Sequence, residues 1–122
     1  MEENTKHYEL SVWDDMSNTP YKLFTIASDT MESPAAAYNI VLNRKVNGEI
    51  SLTFSMAAKY FDEQTGEFEH NPYIDYLINE RTVKLKREKD DGNIEWLDFA
   101  IKDVQQDSNG GVYNFTAKDL WV

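Results

Sequence analysis

The chain of 122 residues contains no cysteine. That removes disulfides and thiolate metal sites together and leaves stability to the packed core. Histidine is scarce, with only His7 and His70. Basic residues are outnumbered, 12 Lys and Arg against 22 Asp and Glu, for a formal net charge of −10. Neutralising phosphates over the whole surface is therefore excluded as a way of binding nucleic acid, although an acidic surface suits a task in which DNA must be repelled. No run approaches the ~18 apolar residues that a membrane-spanning helix needs, so no membrane association is expected. The start, Met1-Glu2-Glu3-Asn4-Thr5-Lys6, lacks a basic cluster and an apolar run, and we expect no secretory signal. Asn114-Phe115-Thr116 fits the glycosylation sequon, but without a signal we read it as accidental.

Motifs of chemistry are equally sparse. There is no Walker loop, no G-x-G-x-x-G and no G-x-S-x-G, so neither a phosphate-cradling loop nor a nucleophile elbow is expected. Asp62, Glu63, Glu67, Glu69 and His70 put carboxylates beside an imidazole, but their spacing matches neither a zinc site nor a calcium loop. The expectation is no metal, no cofactor and no catalytic residue within this chain.

What is present is alternation. Apolar residues make up 41% and aromatics 13%, enough for one packed domain spanning residues 1–122. Ile50, Leu52, Phe54 and Met56 alternate with Ser51, Thr53 and Ser55, the period of a strand with one buried face. Asn47-Gly48 favours a turn before it, and Tyr38, Ile40 and Leu42 form the other arm of that hairpin. Further strands are read at Tyr8, Leu10 and Val12, over 21–26, over 82–88 and over 111–120. The stretch 94–104 is a long strand with a phase conflict: Ile94 and Trp96 share one phase, and Leu97, Phe99 and Ile101 the other. A β-bulge near Trp96-Leu97 is expected to reconcile them. Asp91-Gly92 and Asp107-Ser108-Asn109-Gly110-Gly111 read as turns, and 60–70 reads as an irregular acidic loop.

One helix is expected over 72–79, capped by Asn71 and opened by Pro72, with Ile74, Leu77 and Ile78 as its apolar stripe. Short turns cannot join parallel neighbours. The fold class is therefore mainly β, an antiparallel barrel or sandwich of about seven strands with one short helix. Its expected core is Ile50, Leu52, Phe54, Val83, Leu85, Leu97, Phe99, Ile101 and Phe115, closed on one side by Ile74, Leu77 and Ile78.

The basic residues cluster at Arg81, Lys84, Lys86, Arg87 and Lys89. Lys84 and Lys86 share one strand face, and Arg87 points the other way. The stripe reads either as a solvated face or lysine-guarded edge strand, or as a subunit interface that meets an acidic stripe on a neighbour. Tyr73, Tyr76, Trp13 and Trp121 could form a sugar-binding platform if exposed together.

Three segments in order carry a family resemblance: Val46-Asn47-Gly48-Glu49-Ile50-Ser51-Leu52-Thr53-Phe54-Ser55-Met56, the unit 71–87, and Trp96-Leu97-Asp98-Phe99-Ala100-Ile101-Lys102-Asp103-Val104 with the turn and strand that follow. Over residues 8–120 the chain resembles the N-terminal region of the phage and prophage tail proteins of Gram-positive hosts. That family is variously called prophage tail endopeptidase, tail-associated lysin or minor structural protein, and this part of it is similar to the baseplate hub of contractile-tailed phages. The resemblance implies a tail-tube-like antiparallel barrel with a helix at its side. It further implies a full-length trimer, each subunit carrying two such domains, closing a ring that continues the tail tube. DNA would pass without specific binding, along walls whose acidity keeps it from sticking. The implied location is the virion tail, the implied partners are other tail or baseplate proteins, and no peptidase residue carries over. The chain's end on Trp121-Val122 agrees with a front piece of a longer protein, any hydrolase lying downstream. The alternative reading is a carbohydrate-binding β-sandwich module for host recognition.

Overall fold

The computed structural model describes residues 7–14, 19–46 and 48–119. Strands β1 (Tyr8–Asp14), β2 (Tyr21–Ser28), β3 (Tyr38–Arg44), β4 (Ile50–Ala57), β7 (Thr82–Glu88), β8 (Ile94–Gln106) and β9 (Val112–Asp119) form one curled sheet, a half-barrel in the order β2-β1-β7-β8-β9-β4-β3. Every neighbouring pair is antiparallel. Strands β5 (Lys59–Asp62) and β6 (Glu67–His70) make a separate two-stranded hairpin. The mainly β class, the antiparallel pairing and the strand count of the sheet agree with the alternation in the sequence. Asn47 of the expected turn and Trp121 of the expected platform lie outside the described residues.

Two-residue periodicity puts the core on one face of the sheet. Leu10, Val12, Ile26, Leu52, Phe54, Met56, Val83, Phe99, Ile101, Phe115 and Ala117 are buried there. Phe54 and Phe115 are cross-strand partners whose rings stack at 5.1 Å. Ile50 and Leu97, expected in the core, are half-buried at its margin.

The segment after β6 closes the open side. Asn71 is fully buried, and its Nδ2 donates to the carbonyls of Ala35 and Ala57, each at 3.0 Å. Its Oδ1 accepts from the Tyr73 amide at 3.1 Å, which caps a 3-10 helix over Pro72–Tyr76. Tyr73 and Tyr76 meet Phe24 of β2 edge-on at 4.8 and 5.1 Å. One asparagine thus ties the chain beyond β2 to the end of β4.

Three local expectations are corrected. The helix has the tighter pitch and ends at Tyr76, so the i, i+4 spacing of an α-helix does not apply. With about three residues per turn, Ile74 and Leu77 share the inner face, and Ile78 is 54% exposed instead of buried. The phase conflict in β8 is real but is resolved elsewhere. Pairing of β7 with β8 is unbroken from Thr82↔Ala100 to Glu88↔Ile94, and the irregularity falls between Ile101 and Asp103 opposite β9. Ile94 and Trp96 simply face outward, and the extra residue at Lys102 returns Val104 to the phase of Ile101. Finally, 60–70 is not an irregular loop: Lys59↔His70 through Asp62↔Glu67 pair as a ladder.

Candidate functional site

The expected interface lysines sit in the middle of the sheet. Strand β7 lies between β1 and β8, so Lys84 and Lys86 do not guard an edge. They project from the outer face, opposite the inward Val83 and Leu85, as their alternation requires. Lys84 Nζ lies 4.2 Å from the centre of the Trp13 ring and 3.9 Å from Asp98. Lys86 Nζ lies 5.5 Å from the ring of Trp96, its cross-strand partner. The outer face of β1, β7 and β8 is therefore a weave of cations and indoles, with Lys22 and Glu9 paired at 2.9 Å beside it. Such stacking holds the ammonium groups over the rings while leaving them at the surface.

Arg87 points to the inner side of the same strand, as expected. Its Nε donates to Glu95 at 2.9 Å, and Arg44 reaches the other oxygen of Glu95 at 3.5 Å from the far margin of the sheet. Burial would raise the Glu95 pKa, but the Arg87 hydrogen bond and the two guanidinium charges more than offset it and hold the carboxyl below its ordinary range.

A cleft of about 580 Å³ opens where the ends of β1, β2 and β7 meet. Its charged groups have partners both within the cleft and beyond it. His7 Nδ1 is 2.8 Å from Asp29, and Nε2 is 3.8 Å from Glu88. Hydrogen bonding to His7 lowers the Asp29 pKa. Glu9 accepts from Thr25 at 2.6 Å and from Lys22 at 2.9 Å, and these bonds, Thr25 first, lower its pKa. Ser28 Oγ lies 3.3 Å from the Thr30 hydroxyl. One carboxylate in the cleft, Glu9, accepts from a hydroxyl, that of Thr25, but the same Glu9 oxygen also accepts from Lys22, which ties it into an ion pair.

The acidic stretch around His70 does not converge. His70 Nε2 meets Asp75 at 2.9 Å, and Thr65 meets Glu69 at 3.2 Å. Among the described residues no group of three His, Asp or Glu side chains could hold a metal ion. The aromatic platform is divided: Tyr73 and Tyr76 pack on Phe24 at the inner margin, whereas Trp13 stands on the outer face. Among the described residues no helix is long and apolar enough to cross a membrane.

Sequence reasoning missed the β5–β6 hairpin. Phe61 and Phe68 are direct cross-strand partners, edge to face at 5.4 Å, and they are 46% and 69% exposed. The signal was there: Lys-Tyr-Phe-Asp and Glu-Phe-Glu-His flank Glu63-Gln64-Thr65-Gly66 so that the phenylalanines match across the turn.

Comparison with protein-family models, with curated proteins and with solved structures finds no match to this chain.

Proposed function

We propose that this chain is a ring-forming structural component of a phage or prophage tail, a baseplate-hub domain whose subunits surround a channel for DNA. The observation that carries the reading is the open sheet. Among the described residues, β2 and β3 each have a strand neighbour on one side only, at opposite margins of the half-barrel. Open edges of this kind are completed by another chain or protected from it. Subunits that meet edge to edge would extend one sheet around a ring. The resemblance of the three segments to tail proteins supplies the biological setting, and the net charge of −10 suits a wall past which DNA must slide. Lys84 and Lys86 lie on the outer face, where a neighbouring acidic surface could engage them. The chain itself is proposed to have no catalytic activity.

The test is the mass and electron-microscopic shape of the protein produced together with whatever its gene encodes downstream. A trimer with a central channel supports the hub reading. A strict monomer at high concentration, with Lys84→Glu and Lys86→Glu leaving tail assembly intact, overturns it, and oligosaccharide binding would then favour the recognition module. Turnover of peptidoglycan by the purified chain, lost in His70→Ala, would end the claim of no catalysis.

A further inference from the structure

The β5–β6 hairpin is patterned the wrong way round for a structure that packs only on its own chain. Its exposed face carries Phe61 and Phe68, while Tyr60, Asp62 and Glu69 on the other face are half-buried. The stretch 59–70 holds four carboxylates (Asp62, Glu63, Glu67, Glu69) against one lysine, Lys59. A partner for it must offer apolar surface ringed by cations.

Among the described residues, the outer face of β7 and β8 offers such a surface. Trp96 is 50% exposed and Ile94 53%, two residues apart on one face. Lys86 stands over Trp96 and Lys84 follows on the same strand; of the carboxylates nearby, Glu9 is bound to Lys22, Asp98 to Lys84, and Glu88, the cross-strand partner of Ile94, lies 3.8 Å from His7.

These two surfaces lie at opposite ends of the half-barrel. The hairpin springs from the end of β4, where Ala58 donates to the Gly111 carbonyl and Tyr113 pairs with Gln106. Trp96 lies ten residues earlier on β8, a span of about 33 Å at about 3.3 Å per residue. One molecule cannot bring them together, but two molecules arranged head to tail can.

We propose that the β5–β6 hairpin docks on the Ile94–Trp96–Lys86 surface of a second copy of this chain. The inference rests on the self-assembly reading above and adds a contact along the barrel axis to the edge contacts around it. Because the two patches differ, the contact is heterologous and repeats, giving stacks instead of closed dimers. Two phenylalanines and a short hairpin cover less than the ~1,200 Å² of a stable interface, so a single contact is weak and gains strength by repetition.

Sedimentation of the full chain up to about 1 mM tests this. Wild type should associate with rising concentration and about tenfold more weakly at high than at low salt. The double variants Phe61→Ser/Phe68→Ser and Trp96→Ser/Lys86→Glu should each be monomeric, with unchanged circular dichroism because all four side chains are at the surface. Mixed, they should form a one-to-one dimer through the one intact hairpin and the one intact patch, and nothing larger. A monomeric wild type, a hairpin variant that associates as wild type does, or a mixture that fails to pair would overturn the proposal. If the protein produced together with whatever its gene encodes downstream closes a ring with the hairpin variant while this chain never stacks, docking is wrong and the ring reading survives. Pairing of the mixed variants without any ring has the opposite meaning.

Discussion

Asn71 does more than its place in the sequence announces. Asn before Pro reads as a helix cap, and it is one. Its amide nitrogen also satisfies two carbonyls from separate segments, Ala35 in the loop after β2 and Ala57 at the end of β4. Asn71→Ala removes a cap, worth about 0.5–2 kcal/mol, and strands Ala35 and Ala57 oxygens as well. We expect a loss of about 2–4 kcal/mol in urea unfolding, more than capping alone explains. Asn71→Asp keeps the cap acceptor but sets an oxygen against both carbonyls, so it should rescue little, and less at pH 7 than at low pH. Leu52, fully buried, gives the comparison: Leu52→Ala should cost about 2–5 kcal/mol through the cavity it leaves. A cost below about 0.5 kcal/mol would contradict its burial.

Glu9 and Glu95 link these residue-scale contacts to pH. Both have carboxyl pKa values held below the ordinary 4.5, Glu9 first by Thr25 and then Lys22, Glu95 by its arginines against its own desolvation. A carboxylate lowered by folding stabilises the native state above its unfolded pKa, and the gain is lost as pH falls through the folded value. Stability should therefore decline below about pH 4.5. Glu9→Gln should be less stable than wild type at pH 7 and converge on it as pH falls through the lowered Glu9 pKa. The difference should be under about 1 kcal/mol, because the pair lies near the surface. A constant gap across that range would show that Glu9 contributes no ion-specific stability.

At the scale of elements, turns and periodicity do most of the local work. Gly92 sits at φ 87° in the turn between β7 and β8, with nothing within 4 Å of where a Cβ would be. Any cost of Gly92→Ala is thus a backbone cost, about 1–2 kcal/mol for a left-handed residue, and Gly92→Asn should recover part of it. Equal stability of all three proteins would mean that the turn relaxes to another type. Strand periods were legible because alternation is a property of each strand alone. The helix was legible in place but not in pitch, since Asn71-Pro72 sets a start and says nothing about whether the following turn tightens. The β5–β6 hairpin was obscured by its charges: a solvent-facing phenylalanine pair among four carboxylates has the composition of a loop.

Across the whole molecule, the two margins of the sheet should respond differently from its centre. Amides of β7 and β8, paired on both sides, should exchange hydrogen only by global opening, whereas outward amides of β2 and β3 should exchange early in the free chain. Assembly edge to edge should slow the margins and leave the centre unchanged. Slow exchange at both margins in a dilute monomer would mean that the edges are already protected.

The sequence by itself determined where the seven strands of the main sheet run, which of their faces is apolar, where the turns between them lie, and that Lys84 and Lys86 point away from Val83 and Leu85. Each of these depends on contacts or torsions within a few residues. Only the tertiary structure decided that β7 is central instead of an edge, that the β8 irregularity lies at Lys102, and that Ile78, Ile94 and Trp96 face outward. It also decided that Asn71 bridges the loop after β2 and the end of β4. Those features come from pairing between segments far apart in the chain, such as β1 with β7 and β4 with β9. Alternation specifies a strand's two faces equally well beside any neighbour, so it carries no information about which neighbour it will have.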